Sequence, residues 1–196
     1  MSVLTRILNA LCLTTARLFL VAWIGGAALF VITSIAEQRT PEFDSVDKDR
    51  LATIRFPLYY MYGAICLSTA TVATGLAIAT TPRGNRKKLI AGFTLCVLSA
   101  SIAGYDYVAV YSPLQRAITP PGQVRGPDFL SLHQQSEFIN EVHISLALLA
   151  AILICLPAIP AQDELGSFSN SDVFSQQTPA NKSNSAPIEQ ARPHLE

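Results

Sequence analysis

The polar residues that open the last apolar stretch of the chain are spaced so that a helix would place them on one face. Intervals of three, four and three residues separate the members of this set, which are His133, Ser136, Asn140 and His143. At about 100° per residue, these positions fall within an arc of roughly 80°, which Glu137 borders. Imidazole, hydroxyl and amide groups on one face either bind a ligand or form hydrogen bonds to neighbouring helices.

Neutral imidazoles on one helical face suit haem or copper. However, His133 and His143 are separated by about 15 Å along a helix axis, which is too far for them to share one ion. The only other histidine, His194, lies close to the C-terminus. We therefore expect structural hydrogen bonds between helices and no cofactor, with haem or copper as the alternative.

Further polar residues are expected at the same end of the molecule. Asp106 interrupts an otherwise uncharged stretch, and Arg50 and Arg55 precede another. A carboxyl within a membrane is a candidate for proton relay or substrate binding, but pairing with Arg50 or Arg55 is the interpretation we favour. The sequence contains no nucleophile–base pair, phosphate loop or zinc signature, so it predicts no enzyme. The candidate polar cluster is His133, Ser136, Asn140, His143, Asp106 and Arg55.

Apolar helices are expected to carry these polar residues. The chain has 196 residues, of which 50% are hydrophobic and 14% are charged, whereas about a quarter are charged in soluble domains. A single charged residue, Asp106, occurs within the stretches 18–36, 56–82, 89–115 and 142–162. Because about 20 apolar residues cross a bilayer as a helix, the sequence predicts an all-α integral membrane four-helix bundle. The net charge of zero gives no support for nucleic acid as a partner.

The predicted organisation has three parts. A lead-in covers residues 1–17, a four-helix transmembrane domain covers 18–160, and a tail rich in Ser, Asn, Gln and Pro covers 161–196. The tail is predicted to be disordered because it cannot bury enough apolar surface. The predicted spans are about 18–36, 59–79, 89–111 and 140–160.

The fourth predicted span has a short apolar run, and the segment before the second span is charged. The uninterrupted apolar run from Ile144 to Leu156 has only 13 residues, so three spans with an interfacial helix are the alternative. The segment 41–57 mixes both signs of charge and is expected to form a solvated helix at the interface. Pro57 suits the first turn of the second helix.

Basic residues predict the orientation. Lys and Arg near the spans are equally numerous on both sides of the membrane, but the segment TPRGNRKK, residues 81–88, packs four cations into a short loop without an acid. This density favours a cytoplasmic loop. We therefore expect both termini in the cytoplasm.

The tyrosines all occur where the second helix begins or the third helix ends. Antiparallel neighbours bring these two ends to one interface, so the sequence predicts an aromatic belt and no binding site. The residues are Tyr59, Tyr60, Tyr62, Tyr105, Tyr107 and Tyr111.

Small residues at helical spacing allow close packing of helices, within the chain or in a homo- or hetero-oligomer. They are Gly25, Gly26, Thr71, Gly75, Ala79, Ala100 and Gly104. The four cysteines show no C-x-x-C spacing and are expected to be free, buried thiols.

Three segments resemble one known family in order and spacing, from about residue 15 to residue 156. They are Trp23-Ile24-Gly25 with Phe30, then Arg55-Phe56-Pro57-Leu58-Tyr59-Tyr60, and then Phe129-x-x-x-His133-x-x-Ser136-x-x-x-Asn140. The chain is similar here to the transmembrane protein 205-like family. The resemblance implies a small four-helix membrane protein without an assigned reaction. Asp106 departs from the polar amide of the family pattern, so no proton or metal role is carried over to it.

Two classes of function remain. The first is a non-enzymatic structural, trafficking or interaction component of the bilayer. The second is a small-ligand-handling bundle that uses the polar end of the third and fourth helices. It would bind haem, a metal or a quinone-like molecule, or move a solute or protons.

Overall fold

The computed structural model describes residues 2–83 and 86–156, and its regular structure is entirely helical. The four long helices of this part are α1 (Val3–Arg39), α2 (Ser45–Thr80), α3 (Arg86–Ala117) and α4 (Phe129–Cys155). Each is long and apolar enough to cross a membrane. The prediction of an all-helical chain with four such helices is therefore confirmed for the described residues. The predicted tail, 161–196, and the last residues of the fourth predicted span, 157–160, lie outside them.

Side-chain caps set the starts of the first two helices. The Ser2 hydroxyl accepts a hydrogen bond of 3.2 Å from the backbone N–H three residues further on, and the Asp44 carboxylate accepts one of 2.8 Å in the same way. Such caps satisfy N–H groups that have no partner within the helix. α1 includes residues 3–17 of the predicted lead-in, and the segment predicted to rest at the interface continues into α2. Pro57 lies inside α2, where it removes one backbone hydrogen bond.

The helix α3 changes its winding near its end. Its residues are α-helical to Tyr105, π-helical over Asp106–Tyr111 and α-helical again to Ala117. In an α-helix, residues five apart point about 140° away from each other. The i→i+5 hydrogen bonds of a π-helix bring them towards one face. Both Asp106 and Tyr111 are buried as a result.

The packing of the bundle depends on a close approach between α1 and α2. These two helices pack mainly against each other, as do α3 and α4. A Cβ atom at Gly63 would lie 2.6 Å from the Trp23 ring, so the indole occupies the space of a side chain that α2 lacks. Trp23, Leu20 and Leu67 are among the largest fully buried side chains.

Polar side chains join the helices at the end of the bundle that contains residue 2. Arg17 Nη2 donates a hydrogen bond of 3.0 Å to the carbonyl of Ile154, and Lys88 Nζ donates to the carbonyl just beyond α4. Asn9 Nδ2 donates a bond of 3.0 Å to the carbonyl of Ala77. These bonds satisfy carbonyls at the C-terminal ends of α2 and α4. Residue 2, residues 81–83, the start of α3 and residue 156 therefore share one end of the bundle.

The opposite end, here called the loop end, contains the connections 40–44 and 118–128. The second of these connections is bound to α2 through Asp49, which is buried. Asp49 Oδ2 accepts a bond of 3.1 Å from the backbone N–H of Gly122, and Oδ1 accepts one of 2.8 Å from Arg125. Gly122 has a φ of 81°, which favours glycine. No pattern in the sequence predicted this contact.

Candidate functional site

A buried carboxyl lies at the centre of the candidate site. Asp106 is completely buried, and three side chains donate hydrogen bonds to its Oδ2 atom. The donors are the Tyr60 hydroxyl, the Ser136 hydroxyl at 3.4 Å and Asn140 Nδ2 at 3.2 Å. These donors offset part of the cost of removing a carboxyl from water. The arrangement joins α2, α3 and α4.

Asn140 connects the carboxyl to two further side chains. Its Oδ1 atom accepts a hydrogen bond of 3.0 Å from the Tyr59 hydroxyl and lies 3.1 Å from His143 Nε2. Because Asn140 Nδ2 donates to Asp106, its Oδ1 is the acceptor in the contact with the imidazole. His143 Nε2 therefore carries the proton, and in the neutral ring Nδ1 has a free lone pair. We call Asp106, Tyr59, Tyr60, Ser136, Asn140 and His143 the polar cluster.

Aromatic rings of α1 close the cluster on its remaining side. Trp23 stacks on His143 with ring centroids 5.9 Å apart and lies 5.1 Å from the ring of Tyr59. Phe30 stacks on Tyr59 at 4.3 Å. All four helices therefore contribute to the surroundings of the polar cluster.

Several buried polar atoms near the cluster have no hydrogen-bond partner within the described part of the chain. They are Trp23 Nε1, Asp106 Oδ1, Tyr111 OH and His143 Nδ1. An unsatisfied buried donor or acceptor costs about 1–3 kcal/mol. Native proteins contain few such atoms, and each requires an explanation such as a bound molecule or water.

A cleft with a volume of about 310 Å³ reaches the polar cluster from the side of the bundle. Its mouth lies between exposed residues of α2, such as Ala64, and of α3, such as Gly104. Buried Trp23 and His143 also line it, so it extends inward between the helices. In the part of the chain that the structure describes, His143 is the one ionisable lining residue besides tyrosines.

The structure brings four of the six predicted site residues together and separates the other two. Asp106, Ser136, Asn140 and His143 belong to the polar cluster. His133 does not, because its side chain is 45% exposed and its Nε2 atom lies 3.2 Å from Glu137. Its ring also stacks on Phe129 at the loop end.

Arg55 lies outside the polar cluster as well. It forms an ion pair with Glu37 and donates a hydrogen bond of 2.7 Å to the Thr33 hydroxyl, both on α1. The predicted pairing of Asp106 with Arg50 or Arg55 is therefore wrong. Arg55 precedes Tyr60 by five residues, so the two side chains point about 140° apart on α2. Tyr60 faces α3, and Arg55 faces α1.

The tyrosines also divide into two groups. Tyr59, Tyr60 and Tyr111 are buried, whereas the other three are exposed. The predicted aromatic belt is therefore wrong for the buried group, two of which belong to the polar cluster. The sequence contained one useful signal, because an acid and several phenols occur at the same end of two consecutive antiparallel helices. A phenol is a natural hydrogen-bond donor to a buried carboxyl.

Metal ligands and thiols add no second site. Within residues 2–83 and 86–156, no three His, Cys, Asp or Glu side chains are close enough together to hold a metal ion. The four cysteines are free thiols, and Cys155 is exposed, contrary to the expectation that all would be buried.

Comparisons with known proteins assign no activity to these residues. No protein-family model, no curated protein and no solved structure matches the chain. The chemistry of the site follows from its own contacts.

Proposed function

We propose that this chain is a multi-pass integral membrane protein that binds a small molecule within its four-helix bundle and catalyses no reaction itself. One observation carries the proposal: unpaired polar atoms, among them Trp23 Nε1 and His143 Nδ1, occur around a cleft that reaches into the bundle. A structural or trafficking component without a ligand is the alternative.

Energetics favour a ligand over a purely structural role for the polar cluster. Hydrogen bonds between membrane helices contribute about 0.6 kcal/mol each on average. Each unpaired buried atom costs about 1–3 kcal/mol. A cluster that only joined helices would therefore be more stable with apolar residues at the unpaired positions. A bound molecule that supplies the missing partners removes this cost.

The serine hydroxyls near the cluster support a binding role without catalysis. Ser136 donates to the Asp106 carboxyl, and Ser99 donates a hydrogen bond of 2.7 Å to the backbone carbonyl of His143. Neither hydroxyl donates to the imidazole ring, as a histidine-activated nucleophile would.

Exposed apolar side chains on the outside of the bundle support its placement in a bilayer. Val21, Ile65 and Leu149 are 58%, 54% and 51% exposed, respectively. Contiguous exposed apolar surface marks contact with lipid or another protein. Helices suit this surrounding because they satisfy their own backbone hydrogen bonds.

We also propose that the protein is of the transmembrane protein 205-like type. The residues that carry this resemblance lie far apart in the sequence but contact one another. Trp23 and Phe30 of the first segment contact the ring of Tyr59 in the second, which donates a hydrogen bond to Asn140 of the third. A shared core for the three segments supports a common architecture.

The proposed orientation places both termini in the cytoplasm. Reporter fusions at residue 85 and after residue 165 should report the cytoplasm, and fusions at residues 42 and 122 should report the opposite side, because the basic 81–88 segment is retained. An exterior signal at residue 85 would reverse the orientation. Equal signals at residues 122 and 165 would contradict the fourth span.

The binding proposal is tested on purified protein before and after exhaustive removal of lipid. A molecule that binds the folded state stabilises it by mass action. We expect the melting temperature to fall after this treatment and to recover when the neutral-lipid extract of the expression host is added back. Native mass spectrometry should then show one small molecule per chain.

The variant His143→Phe provides the comparison, because it retains an aromatic ring beside Trp23 but lacks both imidazole nitrogens. We expect no recovery of its melting temperature with the same extract. Equal recovery in the two proteins would indicate a general lipid effect. No recovery in the unmodified protein would favour the structural role.

A further inference from the structure

Two residues that line the cleft, Trp23 and His143, each have a buried ring nitrogen without a hydrogen-bond partner among the described residues. The donor is Trp23 Nε1, because an indole nitrogen only donates. The acceptor is His143 Nδ1, because Nε2 donates to Asn140. The two rings are stacked with their centroids 5.9 Å apart, and both residues line the cleft, so one small molecule can contact both residues. A ligand that satisfies both must itself carry a donor and an acceptor.

The walls of the cleft select for a flat and uncharged molecule. Tyr59, Tyr60 and Tyr107 supply aromatic faces. Among the lining residues, all of which the structure describes, none is Asp, Glu, Lys or Arg. A volume of about 310 Å³ lies at the lower end of the range for ligand pockets, so it accommodates a substituted ring rather than a large cofactor.

The mouth of the cleft opens on the side of the bundle and not at its ends. The exposed residues Ala64 and Ser68 of α2 face the exposed residue Gly104 of α3 across it. These three residues fall within the apolar stretches 56–82 and 89–115, which the proposed bilayer surrounds. A ligand therefore enters from the lipid phase, which requires that it dissolve there.

We propose that the cleft between α2 and α3 binds a lipid-soluble quinol, an uncharged aromatic ring with two hydroxyl groups, taken directly from the bilayer. One hydroxyl donates to His143 Nδ1, and a hydroxyl oxygen accepts from Trp23 Nε1. This inference rests on the proposed function and adds the chemical class of the ligand and its route. The reduced form is favoured because an oxidised quinone has no O–H group to donate.

The probe is trimethylhydroquinone, added anaerobically to the full chain in lipid nanodiscs. Trp23 is the only tryptophan in the chain, so its fluorescence reports binding at the base of the cleft. We expect a saturable change in emission. Empty nanodiscs and equal probe concentrations in all samples correct for partitioning and absorbance.

Two glycine variants test the location. A Cβ atom at Gly104 meets no other heavy atom within 4 Å, so Gly104→Leu adds a side chain at the cleft mouth without a steric clash at that atom. Gly25, on α1 and outside the cleft lining, is equally free of neighbours. We expect Gly104→Leu to weaken binding at least about tenfold, since the leucine occupies the space of the ring. Gly25→Leu should bind as the unmodified chain does.

Two further measurements test the hydrogen bonds. Tetramethylbenzene has the same ring size without hydroxyl groups, and tetramethylbenzoquinone has no donor. Both should bind at least about tenfold more weakly than the quinol, because the buried nitrogens then lack a complete set of partners. His143→Phe should reduce the affinity for the quinol by a similar factor while leaving that for tetramethylbenzene unchanged.

The inference is overturned if the unmodified chain shows no saturable response, or if Gly104→Leu and Gly25→Leu bind the quinol equally well. It is also overturned if the three probes bind with the same affinity. If the quinol fails but the host lipid extract restores stability, the ligand class is wrong and the proposed binding function stands. If both fail, the proposed function falls as well.

Discussion

Replacing Asn140 with leucine is expected to lower the free energy of unfolding by about 2 kcal/mol. The variant loses three side-chain hydrogen bonds, each of which contributes about 0.6 kcal/mol. The change removes the donor to Asp106 and the acceptor for Tyr59 and His143. Leucine has a similar size, so the loss reflects hydrogen bonding more than cavity formation. Lipid is first removed from the protein. Its unfolding by SDS in mixed micelles is then monitored by circular dichroism.

The matched control for this variant is Asn9→Leu at the opposite end of the bundle. Asn9 also joins two helices, because its Nδ2 atom donates to the hydroxyls of Thr80 and Thr81, each at 2.8 Å, and to the carbonyl of Ala77. That carbonyl keeps another donor, the Thr81 hydroxyl, when Asn9 is replaced. Since an amide has two N–H groups, we expect a loss of about 1.2 kcal/mol, from two bonds at about 0.6 kcal/mol each. If Asn140→Leu costs no more than Asn9→Leu, then Asn140 is not the connecting residue of the polar cluster.

Replacing Tyr60 with phenylalanine is expected to cost about 1.5 kcal/mol, which is typical of hydrogen bonds to carboxylates. The change removes only the hydroxyl that donates to Asp106 and leaves the ring in place. The buried carboxyl then depends on Ser136 and Asn140 alone. Unfolding in mixed micelles measures the loss, and the neutral-lipid extract is omitted so that ligand binding does not contribute.

Tyr111→Phe makes the same chemical change in a tyrosine that is equally buried. The Tyr111 hydroxyl has no hydrogen-bond partner among the described residues. Its removal is expected to leave the stability unchanged or to raise it by about 1 kcal/mol, since a cost of desolvation disappears. A comparable loss in both variants would show that the Tyr111 hydroxyl has a partner, or that Tyr60 does not support Asp106.

These two comparisons bear directly on the proposed function. Residues that bind a ligand carry unsatisfied groups in its absence, so their replacement by apolar residues raises stability and removes binding. Residues that only hold the bundle together show the opposite pattern. Tyr60 and Asn140 are expected to behave in the second way, because their polar groups already have partners. Tyr111→Phe is expected to raise stability without affecting binding, since Tyr111 does not line the cleft.

Local patterns in the sequence were sufficient to predict the helices. Hydropathy and the position of charges are properties of neighbouring residues. They predicted four apolar helices, of which the fourth has the shortest apolar run. The 3.6-residue period placed Ser136, Asn140 and His143 on one face of α4, where the structure has them directed into the bundle. The same period also placed His133 on this face. Periodicity within one helix does not show where the neighbouring helix ends, so it could not separate His133 from the polar cluster. Ser2 and Asp44, whose caps begin α1 and α2, are of residue types common at helix N-termini.

The tertiary structure alone decided which residues meet. One face of α2 contacts α1 and another contacts α3. Because Tyr60 lies on the face towards α3 and Arg55 on the face towards α1, Tyr60 and not Arg55 binds Asp106. The π-helical turn brings Tyr111 towards the same face as Asp106, and an α-helical period could not have predicted that. The stacking of Trp23 on His143, and the cleft that both residues line, depend on how the four helices are rotated and shifted against each other. Helical periodicity describes the faces of one helix, but rotation and shift between helices are set by side-chain packing across all four.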